Sequence, residues 1–291
     1  MTSSTVPESE KPGIIRRIFA FPLVWFVIGA VVIIAVDQVV RVAASGFGTP
    51  IRIIASLVSA ALAICIYVLT MRLLARRGTP ELRGSVAREI VLGAAIGALF
   101  VIVSVLIITA LGGYSVQWHP IDALNTVSLA IAFNFGVAIV EELAFRGLAL
   151  QAIEKLGGPW VAIAVTALLF GGAHLLNANA TLWGAFAIAL EAGVLIGAAF
   201  VWRRSLWFVI GLHFAWNTLV SLLGIPVSGN RKPGLFTTTT HGPDWLTGGA
   251  FGIEASVVTV AVGVVFSAVM IIAAVRARRV QRVEHVKPVQ A

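Results

Sequence analysis

Charged residues are scarce in this chain. Asp, Glu, Lys and Arg make up 12% of its 291 residues, whereas 59% of the residues are hydrophobic. A typical soluble domain is about one quarter charged and roughly half apolar. Together with a mean hydropathy of +0.98, this composition excludes an ordinary soluble domain and predicts a protein whose solvent is lipid.

Acidic residues and cysteine are scarcer still. The 13 acidic residues against 21 Lys and Arg give a net charge of +8. In a soluble domain this excess would indicate nucleic acid, but here the basic residues cluster at the ends of apolar runs, which is the membrane pattern. We therefore expect no nucleic-acid partner. The single thiol, Cys65, excludes an internal disulfide, and we expect it to be a buried packing residue.

Apolar runs fill most of the chain. A helix needs about 20 mostly apolar residues to cross a bilayer, and eight segments approach that length: 18–40, 53–75, 89–111, 123–143, 159–176, 183–202, 205–223 and 250–275. The polar stretch before the first run, and the length of that run, favour a retained helix over a signal peptide.

The basic residues predict the orientation of these segments. With a cytoplasmic N-terminus, 17 of the 21 Lys and Arg fall on the cytoplasmic side, and the external side receives four: Arg41, Arg52, Arg231 and Lys232. Because cytoplasmic loops carry the excess of Lys and Arg, the predicted fold class is all-α. It is a polytopic membrane bundle of about eight transmembrane helices with both termini cytoplasmic.

Several strongly polar side chains lie inside the apolar segments. Such groups are costly in a bilayer and usually face a protein interior or a water-filled cavity. They are Asp37, Asn134, Glu141, Glu142, Arg146, His174, Glu191, His213 and Asn217. Most of them fall in the fourth to seventh segments, which predicts a polar site there.

The paired acids have the spacing for two separate roles. Glu142 and Arg146 lie four residues apart and share a helix face, where they can pair. Glu141 points about 100° away and is free to face another neighbour. The alternative is that both acids anchor the helix at the membrane interface beside Arg146.

The histidines allow two interpretations as well. His213 and Asn217, four residues apart, can donate hydrogen bonds toward one point, as stabilisation of an oxyanion requires. His174 follows Phe170 by one helical turn. Alternatively, these polar groups hydrogen-bond between packed membrane helices.

Together, the motifs resemble those of the CPBP family, which holds the type II CAAX prenyl endopeptidases and the bacterial Abi proteins. The matching patterns are Glu141-Glu142-x-x-x-Arg146-Gly147, Phe170-x-x-x-His174 and His213-x-x-x-Asn217. The resemblance covers about 137–220. It implies that Glu142 and Arg146 are supporting residues beside the catalytic groups.

The resemblance also implies catalytic roles. Glu141 is expected to act as the general base that activates a water, and His174 to hold or polarise that water. His213 and Asn217 are expected to stabilise the tetrahedral oxyanion. We expect no cofactor; if the reaction uses zinc, the ligands are Glu141, His174 and His213, although the His-Glu-x-x-His motif is missing.

The expected function is a CAAX-protease-like, glutamate-dependent intramembrane endopeptidase whose partners are the lipid bilayer and a membrane-held peptide or protein. Residues 1–122 are assigned to a leader and three helices, 123–223 to the catalytic core, and 224–291 to an external loop, the last helix and a basic cytoplasmic tail. The loop, about 224–249, is expected to be irregular; the alternative is a lid or a substrate-facing element. The short loops and many arginines are typical of a multi-pass protein of a bacterial cell membrane. The alternatives are a non-catalytic scaffold, regulator or bacteriocin-immunity protein with this fold, and a transporter that uses the buried charges as an ion path.

Overall fold

A computed structural model describes residues 18–119 and 122–277 of the chain. It is mostly helical, as expected. The helices are α1 Pro22–Ala44, α2 Thr49–Leu73, α3 Val86–Ala110, α4 Ala123–Glu142, α5 Gln151–Ala173, α6 Leu182–Arg203, α7 Leu206–Leu222 and α8 Val257–Arg276. Two short strands, β1 Tyr114–Trp118 and β2 Phe236–Thr240, pair antiparallel. Most of the predicted leader and basic tail lies outside the described residues.

The described helices make the chain a multi-pass membrane protein. Six are long and apolar enough to cross a membrane when Ala123–Leu176 is taken as one helix of 54 residues. Such a helix would be about 80 Å long if straight, but Gly158 interrupts it with φ 79° and ψ 175°. The helix α7 has 17 residues and falls short of the usual span. The count of eight crossings and the orientation of the termini stay predictions.

The segment between α7 and α8 contains the strand β2 and a four-residue helix, Asp244–Thr247, so the prediction of a plain irregular loop over 224–249 is wrong. Its threonine run forms β2, which pairs with β1 from Tyr114↔Thr240 to Trp118↔Phe236, because threonine suits a pleated, half-buried surface. Leu246 and Phe251 are buried in the core. The last long helix accordingly begins at Val257 and not near residue 250. Cys65, expected to be buried, is exposed on α2.

The helix α7, which carries His213 and Asn217, lies unusually close to α3. A Cβ added at Gly93 would lie 1.9 Å from the Phe208 carbonyl oxygen, and one at Gly97 would lie 2.2 Å from the Leu212 oxygen. Without these side chains the two backbones come into direct contact, as small residues allow in membrane proteins. The glycines of α3 therefore set the position of the polar side chains of α7.

Replacing Gly97 with alanine is expected to destabilise the fold by about 1–3 kcal/mol, because the added methyl group must push α7 away from α3. The thermal unfolding temperature of the detergent-solubilised protein measures this loss. Gly172→Ala is the matched control, since a Cβ at that helical position meets no atom within 4 Å. Equal unfolding temperatures for the two variants would contradict the close α3–α7 contact.

Candidate active site

The paired acids stand at the end of α4, where the helix changes its winding. The eight residues that follow, Leu143–Leu150, form a π-helical segment, a feature that is frequent at functional sites. Glu142 is fully buried, and its Oε1 accepts a hydrogen bond of 2.9 Å from Arg146 Nη1. The side chain of Glu141 is 29% exposed and lines a cavity. The predicted Glu142–Arg146 pair is confirmed, and the two acids have different surroundings.

Arg146 connects three helices from inside the bundle. Its Nη2 donates to the backbone oxygens of Ala192 at 3.2 Å and Gly193 at 3.4 Å, in a second π-helical segment within α6. The guanidinium carbon lies 4.6 Å from the ring centre of Phe170 on α5. A fully buried cation needs such compensation, because removing it from water is costly. Arg146 thereby fixes the Glu142 carboxylate relative to α5 and α6.

His213 completes a chain of polar contacts. Its Nδ1 lies 2.7 Å from Glu142 Oε1, the oxygen that also accepts from Arg146. A carboxylate accepts hydrogen bonds, so it is Nδ1 that carries the ring proton of neutral His213. The other ring nitrogen, Nε2, lies 3.1 Å from Asn217 Nδ2 and 3.9 Å from Glu141 Oε2. Arg146 and Glu142 thus orient the ring so that Nε2 points toward Glu141.

His174 lies at the end of α5, where a 3₁₀ turn, His174–Leu176, follows the helix. Its Nδ1 donates to the backbone oxygen of Phe170 at 2.7 Å. A carbonyl oxygen only accepts, so Nε2 is the ring nitrogen left to accept from another group. The Phe170 ring lies between the two histidines, with centroids 4.7 Å from His174 and 6.1 Å from His213.

A single cavity of about 490 Å³ is lined by all four predicted catalytic residues, Glu141, His174, His213 and Asn217. Its volume is within the range of small-ligand sites, about 300–1,000 Å³. Glu191, also singled out from the sequence, does not line this cavity. Its carboxyl oxygens have no hydrogen-bond partner in the described part of the chain. Its Cβ packs against Gly263, where a Cβ added to the glycine would lie only 2.6 Å from it.

One family model matches the part of the chain that carries this arrangement. Residues 123–219 match the family model described as Type II CAAX prenyl endopeptidase Rce1-like. The chain carries an Rce1-like domain. This domain is about a third of the chain and includes every site residue predicted from the motifs, and the resemblance to a CAAX-type protease family is confirmed. Searches of curated proteins and of solved structures gave no match.

The side chains of the Rce1-like site are not arranged as a zinc centre. Within residues 18–119 and 122–277, no three His, Cys, Asp or Glu side chains are arranged to hold a metal ion. The alternative ligand set of Glu141, His174 and His213 shares the cavity but does not converge on one point. The arrangement therefore does not fit a zinc site.

A third carboxyl group, Glu254, lines the cavity from outside the Rce1-like domain. It lies in the turn Ile253–Ala255 before α8 and accepts hydrogen bonds from Ser228 N at 2.7 Å and Oγ at 3.1 Å. Burial raises the pKa of Glu254 to about 7, and the charge of Glu141 adds to this, while the Ser228 hydrogen bonds and His213 oppose it. Sequence reasoning missed this residue; its signal was a lone acid within an apolar segment.

Replacing Glu254 with glutamine is expected to remove an ionisation near pH 7. Glu254 keeps its proton up to about pH 7 in the folded protein, against an ordinary value of 4.5. The folded state therefore binds more protons between these values, and its stability falls as pH rises through this window. We expect the unfolding temperature of the wild type to fall more steeply from about pH 5 to 8 than that of Glu254→Gln.

Both the wild type and Glu254→Gln retain the neighbouring groups Glu141, Glu191 and His213. The difference between their profiles of unfolding temperature against pH therefore reports on Glu254. Glu154→Gln serves as the control, since Glu154 pairs with Arg204 away from the cavity. Parallel profiles for the wild type and Glu254→Gln would show that Glu254 does not titrate in this window.

Proposed function

We propose that the protein is a glutamate-dependent intramembrane endopeptidase that cleaves a peptide or protein held in the cell membrane. The observation that carries this proposal is the position of Glu141 Oε2. This oxygen is buried, has no hydrogen-bond partner among the described residues, and faces His213 Nε2 across 3.9 Å. The rest of the carboxylate is open to the cavity, because the Glu141 side chain is 29% exposed, and a water bound there would be held by the base that activates it.

In the proposed reaction, Glu141 takes a proton from this water as the water oxygen bonds to the peptide carbonyl carbon. The electron pair of the carbonyl moves onto its oxygen. When the C–N bond breaks, the leaving nitrogen takes the proton back from Glu141. His174 supports this step because its Nε2 can accept the second hydrogen of the water and hold it in line.

The oxyanion is assigned to His213 and Asn217. The amide of Asn217 can donate directly, and His213 can donate once Nε2 carries the second ring proton. The carboxylate of Glu142, which is bonded to Nδ1, compensates the charge of that doubly protonated ring, since Glu141 is neutral once it holds the proton from the water. Glu142 and Arg146 act as positioning residues, because they hold the His213 ring without lining the cavity.

The proposal is tested by comparing membrane-protein fragments from cells that carry the wild-type or the Glu141→Gln protein. Cleavage predicts new protein termini that occur only with the wild type, and these termini would identify the substrate. The non-catalytic alternative makes the opposite prediction. In that case Glu141→Gln, His174→Ala and His213→Ala would each restore the phenotype of a deletion strain.

A further inference from the structure

The side chain of Gln151 contacts the π-helical turn that carries Arg146, although it does not line the cavity. Gln151 begins α5, directly after the π-helical segment Leu143–Leu150. Its backbone N–H donates to Leu148 O, three residues back, whereas an α-helical N–H would donate to Gly147 O. Its side-chain Nε2 donates to Gly147 O at 2.8 Å and lies 3.5 Å from Arg146 O. Gln151 therefore fastens the end of the π-helical segment with its own side chain.

Two residues from outside the Rce1-like domain fix the orientation of this amide. Arg77 Nη2 donates to Gln151 Oε1 at 2.5 Å, and the hydroxyl oxygen of Tyr67 lies 3.2 Å from Gln151 Nε2. An arginine side chain only donates hydrogen bonds, so the amide oxygen must face Arg77. The NH2 group of Gln151 is then directed at Gly147 O, and a flipped amide would lose the bonds to both Arg77 and Gly147.

A buried acid, Glu81, holds Arg77 and Tyr67 in turn. Glu81 lies in the 3₁₀ turn Pro80–Leu82. Its Oε2 accepts from Arg77 Nη1 at 3.0 Å and its Oε1 from Nη2 at 3.1 Å, a bidentate pair of defined geometry. The same Oε1 also accepts from the Tyr67 hydroxyl. One closed hydrogen-bonded ring, the Gln151 network, therefore consists of Tyr67, Arg77, Glu81 and Gln151.

The ring of Tyr67 also packs directly on the π-helical backbone. A Cβ added at Gly147 would lie 2.7 Å from a carbon of the Tyr67 ring, so a side chain at this position would push the ring away. Tyr67 is fully buried. Because its ring lies against Gly147 and its hydroxyl contacts Gln151, the helix α2 restrains the π-helical segment at two points.

Arg146 connects the restrained segment to the catalytic groups. Its Nη1 donates to Glu142 Oε1, and the same oxygen lies 2.7 Å from His213 Nδ1. The direction of a side chain on a helix depends on the winding, since successive residues are about 100° apart in an α-helix and less in the wider π-helix. A change in winding would therefore turn the guanidinium of Arg146 away from Glu142. The winding that Gln151 fastens is the one that directs Arg146 to this carboxylate.

We propose that Gln151 is a positioning residue of the active site, which fixes the π-helical winding and thereby the orientation of the His213 ring toward Glu141. Its effect on cleavage rests on the proposed peptidase function, whereas its effect on the ring is a property of the fold. In the described part of the chain its side chain bonds to no residue that lines the cavity, so it acts through Arg146 and Glu142. Helices outside the Rce1-like domain thereby contribute to the geometry of the site.

The test is NMR of the full-length protein in phosphatidylcholine nanodiscs, with isotope labels only in the histidine rings. The probe is the His213 Nδ1 proton in its hydrogen bond to Glu142, and the loss of its resonance in His213→Gln identifies it. Gln151→Met keeps the length of the side chain but makes none of its hydrogen bonds. We expect the His213 resonance to shift in this variant. The Nδ1 proton of His174, bonded to a backbone oxygen, is the internal reference and should stay in place.

Arg77→Gln is the second variant, because it removes the donor that orients the amide from a partly exposed position. It is expected to shift the His213 resonance in the same direction. Ser104→Ala is the matched control, since it also removes a buried hydrogen bond from a side chain to a backbone oxygen, but outside the Gln151 network. An unmoved His213 resonance in Gln151→Met, or in Arg77→Gln should Gln151→Met not fold, would overturn the inference. An equal shift in Ser104→Ala would overturn it as well.

A parallel assay of the cleavage of membrane-anchored peptides separates this inference from the proposed function. We expect kcat of Gln151→Met to fall by about ten- to a hundredfold at little change in KM, because a small misplacement of catalytic groups slows the chemical step. If the wild type cleaves nothing while the His213 resonance shifts, the peptidase proposal fails and the positioning role stands. If Gln151→Met cleaves slowly with an unmoved resonance, the peptidase proposal stands and the positioning role fails.

Discussion

The Glu141→Gln protein is expected to cleave at most about one hundredth as fast as the wild type, because a positioned general base contributes about 10²–10⁴-fold to a rate. Glutamine has the same shape as glutamate but cannot take a proton from water. The Oε2 of Glu141 accepts no hydrogen bond among the described residues and lies 3.9 Å from His213 Nε2. We therefore expect the unfolding temperature of this variant to equal that of the wild type.

The measurement is the initial rate of cleavage of a membrane-anchored peptide pool, with thermal unfolding of the same preparations. Glu154→Gln is the control for loss of an acid, since Glu154 forms a partly exposed pair with Arg204 and such pairs contribute little. It is expected to cleave at the wild-type rate. Cleavage by Glu141→Gln at that same rate would remove Glu141 from the mechanism, and a collapse of its unfolding temperature would make its role structural.

The helical periodicity of the sequence was enough to predict the local pairs of the site. Glu142 and Arg146 lie four residues apart, as do His213 and Asn217, and both pairs are in contact. Such contacts follow from 3.6 residues per turn and need no knowledge of the neighbouring helices. The same reasoning predicted that Glu141 and Glu142 point in different directions. The two acids do differ in burial, and they face different ring nitrogens of His213.

Contacts between helices could not be predicted in this way. Arg146 of one π-helical segment reaches the carbonyl oxygens of Ala192 and Gly193 in another, and no residue pattern predicted either winding. The His213–Glu142 bond joins residues 71 positions apart. It depends on the contact of α7 with α3 and α4, which side-chain shape and missing Cβ atoms determine.

An irregular loop was predicted over 224–249 because the prolines and glycines of this segment indicate a loop. Whether residues 224–256 are buried depends on the helices they pack against, which the segment's own sequence does not show. Once β2 pairs with β1 and Phe251 is buried, Ser228, Lys232 and Glu254 are brought to the cavity. Motif resemblance could not identify these residues, since it ends near residue 220. The acid of unusual pKa, Glu254, was therefore missed.

Removing Arg146 is expected to cause the largest loss of stability. Arg146→Met leaves the Glu142 carboxylate fully buried without its cation, and breaking a buried pair from one side costs about 3–5 kcal/mol. Cleavage is also expected to fall, because Glu142 no longer holds the His213 ring. Arg146→Lys keeps the charge but cannot reach Glu142 and two carbonyl oxygens with one planar group, so its stability should lie between those of Arg146→Met and the wild type.

The double variant Glu142→Gln/Arg146→Met separates the two consequences. It removes both charges, and its glutamine oxygen can still accept from His213 Nδ1, so most of the lost stability should return, as it does when buried pairs are replaced by neutral groups. Cleavage should stay low, because a neutral amide does not compensate a second proton on His213. The unfolding temperature and the cleavage rate of the three variants measure both effects. If the double variant is as unstable as Arg146→Met, the cost lies in the contacts of Arg146 with α6 and not in the uncompensated charge of Glu142.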